Sequence, residues 1–225
     1  MKTVKTVIPF KPDNPKSRLS SIFTEKERRD FVELSLENVL TVLKESEITQ
    51  IEILSKSELS DKDKKRLNSI AGSECALEIT TDERDLNTAI NAYLKKSEIP
   101  ILIVMADLAL LTKENIAAMI APKSSDSEQK LIRLAPGKDG GTNMIYIEAP
   151  NIFEVNYYGE SFKKHKEEAE RKNLTCEIHE SFYAAIDMDE PEDLKEILNH
   201  GSGKLKEFVC AALEGKKTPE IQNIE

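Results

Sequence analysis

The stretch "IPILIVM" at residues 99–105 decides the fold, because every residue in it except the proline is apolar. A strand whose side chains are apolar on both of its faces is expected where helices cover both faces of a parallel sheet. Strand-like and helix-like segments alternate on either side of it, which is typical of α/β domains. The sequence therefore predicts an α/β fold with a mostly parallel central sheet, flanking helices and this strand near the centre.

Other segments can be assigned by their patterns of apolar residues, and helix-like segments fill most of the chain between the strands. A domain over residues 1–213 and a mobile tail over 214–225 are expected. Strands are predicted at "TVKTVI" (3–8), "ITQIEILS" (48–55), "CALEIT" (75–80), "KLIRLAP" (130–136), "TNMIYIE" (142–148), "LTCEIH" (174–179) and "FYAAID" (182–187).

Composition limits the class of protein. The 225-residue chain has a formal net charge of −9, which argues against general binding of nucleic acid but allows a local basic patch for a phosphorylated small molecule. Its three isolated cysteines fit a reducing cytoplasm without a disulfide framework. We expect no membrane segment, because the longest apolar run is interrupted by Asp107 and is too short to span a bilayer, and no signal-peptide pattern is present.

The loop after the first strand, "IPFKPDNPKSRLS" at residues 8–20, is basic in an acidic chain. Its prolines stiffen the turn, so that Lys11, Lys16 and Arg18 can converge on a polyanion with little ordering cost. Ligands of open α/β sheets bind at the carboxyl ends of strands, which favours a phosphate site. The alternative is a solvated basic loop.

Acidic residues follow two other predicted strands. Asp107 follows the apolar strand by one residue, at a place where a carboxylate is suited to Mg²⁺. The alternative is an acid placed ahead of the helix that Thr112 caps. Asp187 and Asp189 are two residues apart and would point the same way on an extended segment. The spacing alone fits a metal role and a capping role for Asp187 equally well. Glu192 and Asp193 suit capping of the next helix.

Two glycine-containing segments can approach an anion. In "PGKDGGTN" (136–143), successive backbone N–H groups can form an anion nest, although a plain hairpin is the alternative. In "YYGESFKKH" (157–165), Gly159 and Ser161 precede a helix whose free N–H groups favour anions, or Ser161 is a simple N-cap. His165 is expected on the solvated surface of that helix.

Taken in order, these pieces resemble the 2-phospho-L-lactate guanylyltransferase family, which has the nucleotide-diphosphosugar transferase-like (Rossmann-like) fold. The resemblance extends from residue 8 to about 195, nearly the whole chain. It implies an enzyme of deazaflavin coenzyme biosynthesis, of the kind found in methanogenic archaea. GTP and 2-phospho-L-lactate would give lactyl-2-diphospho-5′-guanosine and pyrophosphate, with Mg²⁺ as cofactor. The matching segments are "IPFKPDNPKSRLS", "DLNTAI", "VMADLALLT", "PGKDGGTNMIYI", "YYGESFKKH" and "IDMDEPEDL".

The resemblance also assigns roles to residues of this chain. Lys16 and Arg18 would be catalytic and would hold the triphosphate with Lys11, and Lys16 would also contact the acceptor phosphate. Asn87 resembles a nucleotide contact. The remaining roles are carried by Asp107, Asp187 and Asp189 as metal ligands, and by Thr142, Gly159 and Ser161 as acceptor-phosphate ligands.

Several alternatives stay open at this point. Related family members use phosphoenolpyruvate or 3-phosphoglycerate as acceptor, and other nucleotidyltransferases act on a sugar phosphate or a molybdenum cofactor. A non-catalytic nucleotide-binding regulatory protein would be expected to lose the metal acids, which this chain keeps. Asp85 and Ala109 depart from the residues that many relatives have there, at positions with no assigned chemistry. A homodimer is expected only because two-fold dimers are the commonest assemblies.

Overall fold

The apolar strand at the centre of the sequence is also at the centre of the sheet. In the computed structural model, which describes residues 4–13, 16–124, 128–214 and 216, Ile101–Val104 is the fourth of seven strands. All four of its side chains are buried, as expected for a strand covered on both faces. The predicted α/β class and the central position of this strand are therefore confirmed.

Strands and helices alternate as far as residue 136 of the described chain, and short 3₁₀ turns lie at Ser17–Ser21 and Pro150–Ile152. They are β1 (Lys5–Phe10), α1 (Glu25–Glu45), β2 (Gln50–Ser55), α2 (Asp61–Ala71), β3 (Ala76–Thr81), α3 (Leu86–Leu94), β4 (Ile101–Val104), α4 (Lys113–Ile120), β5 (Leu131–Pro136), β6 (Thr142–Ile147), α5 (Ser161–Arg171), β7 (Thr175–Ile178), α6 (Phe182–Ala185), α7 (Asp193–His200) and α8 (Gly203–Leu213).

The sheet has the order β3-β2-β1-β4-β6-β5-β7. Strands β1 to β4 pair in parallel, as do β5 and β7, whereas β6 runs antiparallel to both of its neighbours. Since β6 is reversed, its first residue, Thr142, lies at the same edge as the carboxyl ends of the parallel strands. A backbone hydrogen bond of 3.1 Å from Met105 N to Asn143 O fixes this contact.

Two apolar layers cover the sheet. Helices α1, α4, α7 and α8 pack on one face in a cluster that includes Phe31 and Leu40, and α3 and α5 pack on the other face around Ile103 and Phe153. Helix α1 begins at a capping box between Thr24 and Glu27, as the sequence predicts. Within the described residues, none of the helices has the length and apolarity needed to cross a bilayer.

The strand predicted at residues 182–187 is wrong. Residues Phe182–Ala185 form the short helix α6, and Phe182 and Tyr183 are exposed on it. The carbonyl oxygens of Ala184 and Ala185 accept hydrogen bonds from the Asn143 side chain, and the Ala185 carbonyl also accepts the Lys138 backbone N–H at 2.9 Å. This segment is therefore held by Asn143 and by the loop before β6 instead of pairing as a strand. A run of apolar and aromatic residues therefore does not by itself predict a strand, because its carbonyl groups can be hydrogen-bonded in another way.

Helix α8 ends at Leu213, where the sequence predicts the domain to end. Apart from Glu214 and Lys216, the tail predicted at residues 214–225 lies outside the described residues. The Lys216 ammonium donates hydrogen bonds of 2.9 Å to the carbonyl oxygen of Ile22 and to Glu27 Oε1.

Candidate active site

A cleft of about 610 Å³ opens along the carboxyl ends of β4, β1, β2 and β3. Its polar lining combines basic and acidic side chains, which come from the loops that follow these four strands and, for Asp189, from the loop between α6 and α7. The cations are Lys11, Lys16, Arg18, Lys56 and Arg84, and the acids are Asp82, Asp85, Asp107 and Asp189.

Lys16 joins the basic loop to two of the predicted metal acids. Its Nζ lies 2.6 Å from Asp107 Oδ2 and 2.6 Å from Asp189 Oδ1, and its side chain is only 9% exposed. Burial by itself lowers the pKa of Lys16, but the two carboxylates more than offset it and hold the pKa above its usual value. Lys16 is thus a paired cation and not a member of a solvated loop.

The backbone of Lys16 is also unusual, with a φ of 51° in the left-handed region. This conformation is uncommon for a residue with a long side chain, and strained residues of this kind cluster at ligand sites. The left-handed turn comes immediately before the 3₁₀ turn at Ser17–Ser21, and the ammonium of this residue reaches Asp107 and Asp189.

Asp187 is half-buried near the same two carboxylates. Burial, together with the negative charges of Asp107 and Asp189, raises the pKa of Asp187 to about 6. Among the described residues, no hydrogen-bond partner reaches its buried Oδ1 atom. A buried carboxylate oxygen without a partner is costly, and oxygen atoms of this kind are the ligands that hard divalent cations prefer.

The acids have the chemistry of a metal site but not its final arrangement. In the described part of the chain, no three His, Cys, Asp or Glu side chains are placed to hold a metal ion as they stand. The Lys16 ammonium bridges Asp107 and Asp189 instead. A divalent cation that binds both carboxylates would therefore compete with this ammonium.

Asp193 holds the loop that carries Asp187 and Asp189. Its Oδ2 accepts hydrogen bonds from the backbone N–H groups of Asp189 at 3.0 Å and Glu190 at 2.8 Å. Its Oδ1 pairs with the ammonium of Lys138, which lies in the loop between β5 and β6 at residues 137–141, here called the glycine loop. Asp193 therefore has a capping function, as expected, but it caps the acidic loop and connects that loop to the glycine loop.

The outer cations of the cleft are more exposed. Arg18 is 64% exposed and pairs with Glu190 at 2.8 Å. The sequence did not single out Lys56 or Arg84, although each follows a parallel strand, β2 or β3, and lines the cleft. The rule that ligands bind at the carboxyl ends of strands was therefore the signal that identifies both.

Asn87 has a structural contact at the start of α3. Its Oδ1 accepts the backbone N–H of Tyr157 at 2.8 Å, and it is not among the described residues that line the cleft. Its neighbour Asp85 caps α3 and accepts a hydrogen bond of 3.1 Å from the Tyr158 hydroxyl. The nucleotide contact of Asn87 stays a prediction.

Thr142, Gly159 and Ser161 lie beside the glycine loop. Thr142 and Ser161 are buried, with their hydroxyl oxygens 3.2 Å apart, while Gly159 is exposed with a φ of 65°. The described residues that line the main cleft do not include these three. Ser161 is the first residue of α5 and not its N-cap, a position that Glu160 takes.

The expectation that His165 is solvated is wrong. The side chain is fully buried and packs between the rings of Phe153 and Tyr157 at 6.1 and 5.1 Å. Most residues of helix α5 are charged, and its buried residues are Ser161, His165 and Ala169. These three are spaced four residues apart. That spacing places the three residues on one helix face, but a small and polar face does not stand out in the sequence as buried.

Comparison with known proteins agrees with the resemblance found in the sequence. Residues 4–214 match the family model described as "Guanylyl transferase CofC like". The 2-phospho-L-lactate guanylyltransferase of Methanosarcina barkeri strain Fusaro is 40% identical over 206 residues, which cover 92% of this chain and 91% of the relative. The enzyme of the same name from Methanosarcina mazei is 43% identical over 208 residues, with 92% and 91% covered.

Solved structures share the fold at low sequence identity. A protein from Desulfovibrio desulfuricans G20, described as a nucleotide-diphospho-sugar transferase, has a TM-score of 0.72 and 16% identity over 94% of this chain and 95% of that chain. A cytidylyltransferase from Leptospira borgpetersenii has a TM-score of 0.56 and 13% identity over 97% and 99% of the two chains. From the family model and the close relatives, the chain belongs to the guanylyl transferase CofC-like family.

Proposed function

We propose that this protein transfers a guanylyl group from GTP to 2-phospho-L-lactate, in deazaflavin coenzyme biosynthesis. The products are lactyl-2-diphospho-5′-guanosine and pyrophosphate. The family and the names of the relatives support this reaction. The structural observation that carries it is the Lys16 ammonium, which is shared by Asp107 and Asp189 at the carboxyl ends of β1 and β4.

The reaction brings two polyanions together, which sets the task of the site. A phosphate oxygen of the acceptor attacks the α-phosphorus of GTP, the new P–O bond forms, and the bond to the β-phosphate breaks to release pyrophosphate. The acceptor phosphate is already ionised near neutral pH, so a general base is not required. Positioning and charge neutralisation are therefore the main contributions of the protein.

The basic side chains supply that neutralisation in the proposed complex. Lys16 contacts both the triphosphate and the acceptor phosphate and stabilises charge in the transition state. Arg18 and Lys11 hold the outer phosphates, and Lys56 and Arg84 extend the positive surface along the cleft. Asn87 contributes to the nucleotide side of the site.

The acidic side chains fit a divalent cation, which we take to be Mg²⁺. Asp107, Asp187 and Asp189 provide carboxylate oxygens only, the ligand type that Mg²⁺ prefers, and the unpartnered Oδ1 of Asp187 fits a metal ligand. When bound, the cation would neutralise phosphate charge. Thr142, Gly159 and Ser161 hold the acceptor phosphate on the opposite side. Cytoplasmic location, the absence of nucleic acid partners and a homodimer remain predictions.

Pyrophosphate release measured with each of the four nucleoside triphosphates and three acceptors tests the proposal. GTP with 2-phospho-L-lactate and Mg²⁺ should give the highest kcat/KM, above phosphoenolpyruvate and 3-phosphoglycerate. The variant Asp30→Asn, on the partly exposed face of α1, is a control for the charge change and should retain full activity. Preference for phosphoenolpyruvate or 3-phosphoglycerate would correct the acceptor, and no release from GTP with any of the three would reject the function.

A further inference from the structure

We propose that His165 is a positioning residue for the acceptor, and that its ring orients the Thr142 and Ser161 hydroxyls so that one hydroxyl proton remains to bind the acceptor phosphate. The inference rests on the proposed function, since it takes the acceptor phosphate as the ligand of these hydroxyls. The ring does not touch the substrate and acts through Thr142.

The hydrogen bonds fix which ring nitrogen carries the proton. The backbone N–H of Asn156 lies 2.9 Å from Nε2 of His165, and because a backbone amide nitrogen can only donate, Nε2 must accept. In a neutral ring the proton is then on Nδ1. Nδ1 lies 2.9 Å from Oγ1 of Thr142, so the imidazole donates and the threonine oxygen accepts.

The environment keeps the ring neutral and immobile. His165 is 0% exposed and Tyr157 contacts it edge to face. Burial, with a smaller contribution from the Lys164 charge, lowers the pKa of His165 to about 4. The imidazole is therefore uncharged at neutral pH, and its single N–H is committed to Thr142.

The direction of this bond decides how many protons are left for a ligand. The Thr142 and Ser161 hydroxyls have one proton each and share one hydrogen bond of 3.2 Å. When the imidazole donates to Thr142, that shared bond uses one proton and the second is left to donate. With the opposite tautomer, Thr142 would donate to the ring and Ser161 to Thr142, and neither proton would remain.

The start of α5 lies against the glycine loop, next to the pair. The first two N–H groups of this helix are already used, since Ser161 N–H donates to the Gly159 carbonyl at 2.7 Å and Phe162 N–H to the Gly140 carbonyl at 3.1 Å, so the oriented hydroxyl, and not these amides, is the donor that we assign to the anion. Among the described residues, nothing lies within 4 Å of a Cβ added at Gly140 or Gly141, so there is space beside the glycine loop. A hydrogen bond to an anion from an oriented hydroxyl is stronger than one between neutral groups.

Two amide variants separate the two ring nitrogens. In His165→Asn the side-chain NH₂ can take the place of Nδ1, whereas in His165→Gln the amide reaches the place of Nε2. Both remove the ring from its contacts with Phe153 and Tyr157, so each controls for the lost packing of the other. We expect His165→Gln to raise the KM for the acceptor about tenfold with the KM for GTP unchanged, and His165→Asn to raise it by less than about threefold.

A double-mutant cycle identifies the route of the effect. Thr142→Val removes the hydroxyl while keeping the shape, so His165→Gln should have almost no further effect on the acceptor KM in that background. Additive effects, or equal rises in the KM for GTP and the KM for the acceptor, would show that the ring acts through general packing and would overturn the proposal. Thermal melts of all variants accompany the kinetics to check that they fold.

The tautomer itself is tested without turnover, in the wild-type protein. Long-range ¹H–¹⁵N NMR at pH 7 should show a neutral His165 ring with its proton on Nδ1, and a ring protonated on Nε2 would overturn the proposal. Calorimetry should show weaker binding of 2-phospho-L-lactate to His165→Gln than to the wild type, and equal binding would also overturn it. If the wild type binds 2-phospho-L-lactate but releases no pyrophosphate, the proposed function is rejected. The role of His165 in binding is then still decided by the NMR and calorimetry results.

Discussion

In the proposed function, both sides of the candidate site bind anions, but they do so with different kinds of side chain. Between β1 and β4, charged side chains face one another, with Lys16 held by Asp107 and Asp189. Beside β6, buried neutral groups, Thr142, Ser161 and His165, form one chain of hydrogen bonds. A triphosphate with a metal ion carries a large charge and needs paired ions, whereas one acceptor phosphate can be bound by oriented dipoles.

The difference also determines the free-energy cost of burying each side in the folded protein. Ionised groups near one another keep partial contact with water, because full desolvation of a charge is expensive. Neutral hydroxyls and an uncharged imidazole can be fully buried once their hydrogen bonds are satisfied. We therefore expect substitutions on the ionic side to change turnover most, and substitutions on the neutral side to change the affinity for one substrate.

The largest effect is expected for Asp107→Asn. The change keeps the size of the side chain but removes an anionic group that we propose as a ligand for Mg²⁺, and it removes the charge of one partner of Lys16. We expect kcat to fall by at least about a hundredfold, since removal of one electrostatic group costs that much elsewhere. Pyrophosphate release at limiting and saturating Mg²⁺ measures it, and a variant with wild-type rates at limiting Mg²⁺ would remove Asp107 from the metal site.

Lys16→Met should lower the rate by about a hundredfold, or about 3 kcal/mol of transition-state stabilisation. Methionine keeps most of the apolar length and removes the charge. Because the ammonium competes with a cation for Asp107 and Asp189, Mg²⁺ alone should bind this variant more tightly than the wild type. Calorimetry with Mg²⁺ and steady-state kinetics test both parts, with Lys26→Met, at an exposed position of α1, as the matched control.

Weaker binding of Mg²⁺ to Lys16→Met would contradict the competition between ammonium and cation. Full turnover would show instead that the basic loop has no part in the reaction. The melting temperature should change little, because the two carboxylates that lose their partner are partly exposed.

A smaller effect is expected in the stability of Asp187→Asn. Burial and the neighbouring carboxylates raise the pKa of Asp187 from its ordinary value of 3.8 to about 6 when no cation is bound. Between these two pH values folding takes up a proton, so the free energy of unfolding falls as pH rises from about 4 to about 6. Above about pH 6 the full destabilisation by this carboxylate is present. Asparagine removes this penalty.

We therefore expect the free energy of unfolding of Asp187→Asn to exceed that of the wild type by about 1 kcal/mol at pH 7.5 with a chelator present, a value reduced for the partial exposure of the group. The gain should disappear at pH 4. Urea denaturation at the two pH values measures it. A difference between the two proteins that does not depend on pH would mean that Asp187 has an ordinary pKa in the fold.

The pairing of Lys16 with Asp107 on the ionic side could be predicted from sequence because both residues follow strands, whereas Asp189 follows the short helix α6. Asp107 comes shortly after an apolar segment and Lys16 belongs to the loop after β1, so the rule for ligand sites in α/β sheets brings them together, and they lie 2.6 Å apart. Lys56 and Arg84 obey the same rule and were overlooked because they belong to no recognised motif.

The neutral side could not be predicted in the same way. The buried position of His165 depends on a helix face that is small and polar, where apolar periodicity, the main signal for burial, is absent. The tautomer depends on the backbone N–H of Asn156, which no residue type indicates. The helix at Phe182–Ala185 was missed for a related reason, since its carbonyl groups are satisfied by Asn143 from another element.

The division of the site into a nucleotide side and an acceptor side is tested most directly by two-substrate kinetics on a pair of variants, Arg18→Met and Ser161→Ala. Arg18 is an exposed cation of the ionic side, and Ser161 is a buried hydroxyl of the neutral side. The account predicts that, of the two KM values, Arg18→Met raises only the KM for GTP, and Ser161→Ala raises only the KM for the phosphorylated acceptor. A rise in both KM values in either variant would contradict it.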